Sequence, residues 1–305
     1  MSPSNWALLL VSAASFASSI ILNKLLIDAL PPFTLAAVRV VLALPFCLAA
    51  LALAGLRMPR DWADRLTVIK VSLGVIVVPY CALVIGQQTI PGGVSGILYS
   101  TMPLFTLLAA HLMLPDEKLG WRKLSGIGLG MAGVVVIMGP SLLGGLGDHL
   151  RGELITLLGP LAYAIATVLL RRSRHLDPIA LTAGLFTSAA LIMVPVALVL
   201  ERPWTLSVDP SIAGALVALA VFGTIAPAVL NYLLVQRVGA TRASLGMFLM
   251  PFFAVAGGAL FLGERLGADA FAGLALIVAG SWLVTRMPAS ERHGAPGVKL
   301  GRTKT

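Results

Sequence analysis

Apolar residues in this 305-residue chain come in long unbroken runs. They follow neither the 3.6-residue stripe of a surface helix nor the two-residue alternation of a half-buried strand. Ten such runs span roughly 6–27, 33–55, 66–88, 91–114, 123–140, 152–171, 178–200, 212–236, 240–262 and 268–286. Each approaches the ~20 residues that a helix needs to cross a hydrocarbon core. Continuous runs select helices over a β-barrel, whose strands would alternate lipid-facing and lumen-facing residues. Turn residues punctuate the short connections, as in Pro31-Pro32, Pro91-Gly92-Gly93 and Asp177-Pro178. The pattern predicts an all-α integral membrane protein with ten transmembrane helices and no soluble catalytic domain.

The runs also repeat. Glu117-Lys-Leu-Gly120, with Gly126 and Gly133 beyond, matches Glu264-Arg-Leu-Gly267 with Gly273 and Gly280, every glycine at the same offset. One residue of slippage aligns Pro79, Gln88 and Pro103 with Pro227, Gln236 and Pro251. The expected units are residues 1–140 and 152–286, joined by a Gly-rich loop at 141–151 and followed by a polar, disordered basic tail at 287–305. Five helices per unit is an odd number, so the second unit enters the membrane from the opposite face. Two inverted five-helix repeats form an architecture of secondary transporters, with the site between halves that rock.

Composition agrees: 58% of residues are hydrophobic and 11% charged, outside the range of a soluble domain. The net charge of +9 suggests nucleic acid until its distribution is read. Of the 22 Lys and Arg, 17 fall on the side of the N-terminus and four (Lys24, Arg151, Arg202, Arg265) on the other, with Arg39 inside a helix. The positive-inside rule then places both termini in the cytoplasm, and the charge is a topology signal with no nucleic-acid partner implied. All five tryptophans fall at expected interfaces. The first run lacks a basic n-region and is too long for a cleavable signal peptide. Cys47 and Cys81 lie inside predicted helices and imply no disulfide framework.

The segment Gly223-Thr-Ile-Ala-Pro-Ala-Val-Leu-Asn231-Tyr232, continuing through Gly239-Ala-Thr241-Arg242-Ala-Ser244 to Met250-Pro251 and Leu262-Gly-Glu264-Arg-Leu-Gly267, resembles the drug/metabolite transporter superfamily, in its ten-helix EamA-type branch. Phe16-Ala-Ser-Ser-Ile-Ile-Leu-Asn-Lys24 and Arg39 carry the likeness in the first unit. Two departures stand out: Phe16-Ala17 where that family often has Trp-Gly, and Met250 where it often has an acid. The resemblance implies export of amino acids or related metabolites across the inner membrane. It also implies a central cavity lined by the first four helices of each unit, with the fifth outside.

Intramembrane charge is the best pointer to function in such a chain, because burying it in lipid is costly. Here the carboxylates Asp28, Asp116, Glu117, Glu153, Glu264 and Asp269 lie at helix ends or in loops, which argues against a carboxylate proton relay and for facilitated diffusion, exchange or coupling through some other group. Arg39, ~9 Å into the second helix, has two readings. It is a counter-ion for a substrate carboxylate, or it snorkels toward the interface or pairs with Glu264 or Asp28. Glu117 and Glu264 are placed to cap the N-termini of the fifth and tenth helices, or else to lock a gate by ion pairing with the facing unit.

Tyr80, Tyr99 and Tyr163 lie at similar depth on cavity-lining helices and suit a small zwitterion with an apolar side chain. Tyr232 is nearer the cytoplasmic interface. Ser19, Asn23, Asn231 and Ser244 complete the expected substrate contacts, although most hydroxyls here, such as Ser95, Ser100, Thr101 and Thr167, are expected to bond their own helix. Pro79, Pro103, Pro227 and Pro251 are repeat-paired helix breaks that free carbonyls and mark hinges. Gly126, Gly130, Gly133, Gly273 and Gly280 form close-contact faces, first within the chain and second as a dimer seam, so the chain is expected as a monomer or homodimer. No metal, phosphate-loop or nucleophile motif appears, so no cofactor is expected. A carrier of a drug-like cation or nucleotide precursor, a channel-like protein and a membrane enzyme are the alternatives.

Overall fold

The structure is a computed structural model and describes residues 2–114, 120–143, 147–170, 176–206, 209–238 and 245–285. These residues form ten helical segments. They are α1 (Pro3–Leu26), α2 (Pro32–Leu53), α3 (Trp62–Gln87), α4 (Gly92–Met113), α5 (Trp121–Leu143), α6 (Asp148–Leu170), α7 (Pro178–Glu201), α8 (Pro210–Val238), α9 (Leu245–Phe261) and α10 (Ala268–Thr285). No strand occurs among the described residues. Seven segments, α1 to α4 and α6 to α8, are long and apolar enough to cross a membrane. The apolar parts of α5, α9 and α10 are shorter, at Lys123–Gly139, Gly246–Phe261 and Ala268–Val284.

Local chemistry sets many of the boundaries. Proline occupies the first turn of α1, α2, α7 and α8, where its missing N–H costs nothing. The Asp177 carboxylate accepts the amide N–H of Ile179 at 2.8 Å and caps α7. Gly263, at φ +65°, ends α9 in the left-handed conformation and lets the Glu264 N–H reach back to the carbonyl of Gly258 at 3.0 Å. That reversal lays the Glu264 carboxylate between Gly258 of α9 and the start of α4.

Packing relates the two halves of the chain. The segments α5 and α10 meet through glycine: a methyl added at Gly126 would strike the backbone of Gly280, and one at Gly133 the backbone of Gly273. Low partners with high, so the two helices run antiparallel, and their glycine faces are spent on each other. The same holds for α4 and α9, where Gly93 faces Val255 and Gly258 while Gly96 faces Ala254. It holds again for α2 and α7, where Phe33 meets Glu201 at one end and Leu51 meets Ala180 and Ala183 at the other. The remaining contacts come in matched pairs, α1 on α8 with α6 on α3, and α1 on α9 with α6 on α4.

The prolines behave differently from one another. Pro79 and Pro227 each follow a π-helical turn, at Leu73–Val77 in α3 and Val221–Ile225 in α8. These turns are 148 residues apart, the same offset as the prolines they precede. Wider turns of this kind absorb the bond that proline cannot make. Pro103 opens the second half of α4, which breaks at Ser100-Thr101, as expected of a helix-breaking proline. Pro251 sits inside an uninterrupted α9.

Candidate functional site

Pro227 has no N–H to give the carbonyl of Gly223, four residues earlier, and that freed oxygen anchors the most unusual side chain in the molecule. Arg39 of α2 is 1% exposed. Its Nη2 donates to the Gly223 carbonyl at 3.1 Å, to Ser19 Oγ of α1 at 2.9 Å and to Thr224 Oγ1 at 3.1 Å. Its Nε donates to Thr224 Oγ1 at 3.3 Å. The next freed carbonyl of the π-turn, that of Phe222, accepts the hydroxyls of Ser15 at 2.7 Å and Ser18 at 3.3 Å. The wide turn of α8 is thus held from two sides by α1 and α2.

The guanidinium lies over the ring of Tyr80, 3.7 Å from its centroid, a cation–π contact of the kind favoured when both partners are desolvated. Tyr99 and Tyr163 lie close by, near Arg39 and Tyr80 respectively. The Tyr99 hydroxyl donates to the carbonyl of Pro79 at 2.6 Å, and Gly159 of α6 leaves the space that it fills. Around Tyr99 pack Ala17, Ile20, Leu83, Met250, Phe253 and Ala254. Seven segments, α1 to α4, α6, α8 and α9, therefore converge here, with Arg39 the only formal charge on the described side chains of the cluster.

One end of the bundle is sealed by carboxylates from the second half acting on helices of the first. Glu264 accepts the amide N–H of Gly92 at 2.6 Å and of Gly93 at 2.9 Å, at the N-terminus of α4. Glu201 accepts those of Phe33 at 2.9 Å and Thr34 at 2.6 Å, at the N-terminus of α2, with the Thr34 hydroxyl at 2.7 Å. Unpaired amides and the helix dipole both favour an anion there. At the same end Lys24 donates to the carbonyls of Gln87 and Ile90, which close α3. Gly92–Leu98 of α4 is buried throughout, whereas Met102, Pro103 and Phe105 to Leu108 are half-buried. Beyond Pro103 only one face of α4, with Leu104, Ala109 and Ala110, stays buried. A separate apolar pocket of about 360 Å³, lined by Val78, Cys81, Ile155, Leu158 and Met193 among others, opens on the outer surface and contains none of the Arg39 cluster.

Comparison with known proteins gives this geometry a family. The model of the EamA-like transporter family matches twice, over residues 5–139 and again over 150–286. The chain belongs to the EamA-like transporter family. It is a multi-pass membrane protein and a transporter. It is 25% identical over 283 residues to an uncharacterized transporter of Archaeoglobus fulgidus, covering 92% of this chain and 98% of that one. The uncharacterized inner membrane transporter YedA of Escherichia coli K12 is 27% identical over 266 residues, 85% of this chain and 83% of its own. A protein of Salmonella typhimurium named a probable amino-acid metabolite efflux pump is 26% identical over 226 residues, 70% of this chain and 73% of its own. A solved crystal structure shares the fold at a TM-score of 0.62 and 22% identity, covering 92% of this chain and 94% of the other.

Within this EamA-family chain the structure brings Ser19, Arg39, Pro79, Tyr80, Tyr99 and Tyr163 together. It leaves others apart. Asn231 is exposed two turns beyond Thr224, and Asn23 is buried between Ser19 and Lys24. Ser244 and Glu117 lie outside the described residues. Three expectations need correction. Arg39 neither snorkels nor pairs with Glu264 or Asp28: Glu264 is occupied by amides, Asp28 is exposed, and Arg39 is held by hydroxyls and a carbonyl. Glu264 caps α4 across the repeat and not α10, because Gly263 turns it there. The Tyr99 hydroxyl is engaged by Pro79 and so is not a free handle. Ser95, Ser100, Thr101 and Thr167 bond carbonyls three or four residues back in their own helices.

Sequence reasoning missed Thr224, Glu201 and the π-turns. Thr224 had a signal, since it sits three residues before a helix-internal proline. Glu201 had none, because its partners lie 167 and 168 residues away.

Proposed function

We propose that this transporter is a ten-span secondary carrier built from two inverted five-helix repeats, which exports amino acids or related small metabolites by alternating access. The observation that carries the reading is the antiparallel pairing of repeat-equivalent segments, α2 with α7, α4 with α9 and α5 with α10. Antiparallel pairing of equivalent segments supports halves related by a two-fold axis across the helices, as an inverted repeat has in the membrane plane. Such a pair of halves has an inward-open and an outward-open form of nearly equal energy. An end held together by Glu201 and Glu264 fits one of those forms.

The amino-acid class rests on two supports, the Salmonella relative's name and the pairing of a buried cation with tyrosine rings, which suits a carboxylate attached to an apolar body. The carrier sits in the inner membrane with both termini cytoplasmic, a reading that the Lys and Arg distribution supports, and the sealed end then faces out. It works as a monomer or homodimer, by facilitated diffusion or exchange, and catalyses no covalent chemistry. Counterflow into proteoliposomes across the twenty amino acids, with and without a pH gradient, tests the proposal. Accumulation of at least one amino acid is expected, and accumulation of none would defeat the substrate class.

A further inference from the structure

Arg39 carries more information than its position. Neutral acceptors hold its Nη2 and Nε, while Nη1 is buried without a partner. No carboxylate contacts it among the described residues, and the groups acting on it are the tyrosines Tyr80 and Tyr99. A guanidinium taken out of water keeps a large unmet electrostatic demand unless an anion answers it. Tyr80, Tyr99 and Tyr163 beside it are half-buried, and α9 packs Met250 and Phe253 against Tyr99. The sealing carboxylates Glu201 and Glu264 are already engaged with helix amides. The cluster answers a carboxylate strongly, and its described side chains offer an ammonium no anion.

Taking the amino-acid reading above as its basis, we propose that this carrier recognises its solute by the carboxylate and not by the ammonium. Small 2-hydroxy acids are then carried along with the amino acids that share their side chains. Recognition of an uncharged hydroxyl in place of the ammonium removes a cation from beside Arg39 and costs no ion pair.

The test uses the intact protein in proteoliposomes. For each amino acid that accumulates in counterflow, two competitors are added: its 2-hydroxy acid, which keeps the carboxylate, and its amide, which keeps the ammonium. For leucine these are 2-hydroxy-4-methylpentanoate and leucinamide. The hydroxy acid should compete within about threefold of the amino acid, and the amide should need at least about tenfold more. An amide that competes as well as the amino acid, with an inactive hydroxy acid, overturns the proposal and leaves the amino-acid reading standing. Hydroxy acids are also run as the labelled solute. Their exchange without any amino-acid exchange overturns the amino-acid reading and keeps the carboxylate site; no exchange of either overturns both. Arg39→Lys, which keeps the charge, should weaken amino acid and hydroxy acid by the same factor. Weakening of the amino acid alone would contradict a carboxylate contact.

Discussion

A single methyl group tests the antiparallel contact between α5 and α10. In Gly280→Ala the new carbon would sit 2.5 Å from the carbonyl oxygen of Gly126 and 2.6 Å from the amide nitrogen of Gly130. Both are backbone atoms, which no rotamer change can move aside, so the helices must separate by about 0.6 Å. A gap of that size forfeits roughly a quarter of each dispersion contact along the seam, and overpacking of this kind costs about 1–3 kcal/mol. Alanine returns at most about 1 kcal/mol of helix propensity over glycine, so the net is destabilising by about 1–2 kcal/mol. Gly128→Ala is the matched control: nothing lies within 4 Å of its methyl, and only the propensity gain remains. Thermal unfolding of the detergent-purified protein reads both variants through tryptophan fluorescence, since Trp121 opens α5 and Trp282 lies two residues beyond Gly280. The melting point should fall for Gly280→Ala and hold or rise for Gly128→Ala. Equal shifts would refute the seam.

Glu264→Gln keeps one acceptor but turns an amino group toward the amides of Gly92 and Gly93, so it should lose about 2–3 kcal/mol of stability, read as a lower melting point; no change would remove the carboxylate from the seal. Thr224→Val strips acceptors from a buried guanidinium and should cost about 1–3 kcal/mol, measured by the same melt, whereas Thr182→Val, whose exposed hydroxyl bonds its own helix, should stay within about 0.5 kcal/mol. Tyr99→Ala should weaken counterflow more than Tyr232→Ala, and equal losses would count against a site around Tyr99.

The all-helical fold and the approximate helix positions were legible in the chain because a bilayer demands unbroken apolar runs, seven of which are helices long enough to cross it, and the two family-matched halves were legible because their glycines and prolines hold fixed offsets. The break at Ser100-Thr101 was legible from Pro103, whereas Pro251, its repeat partner, lies inside a continuous helix and local pattern did not separate the two. The Arg39 site was half legible. Its charge stood out inside an apolar run, but its partners depend on which carbonyl Pro227 frees and on which helix faces the π-turn, and neither follows from local pattern. Glu264 shows the same limit: a carboxylate after a helix end reads as a cap, but the φ of Gly263 decides which helix receives it.

Side-specific labelling tests the inverted arrangement most directly. With Cys47 and Cys81 replaced by serine, single cysteines at Gly120, just before α5, and at Arg265, just before α10, occupy exposed positions at corresponding ends of the two halves. A membrane-impermeant maleimide should reach Arg265→Cys in intact spheroplasts and Gly120→Cys only in inverted vesicles. Labelling of both from the same face would contradict the account.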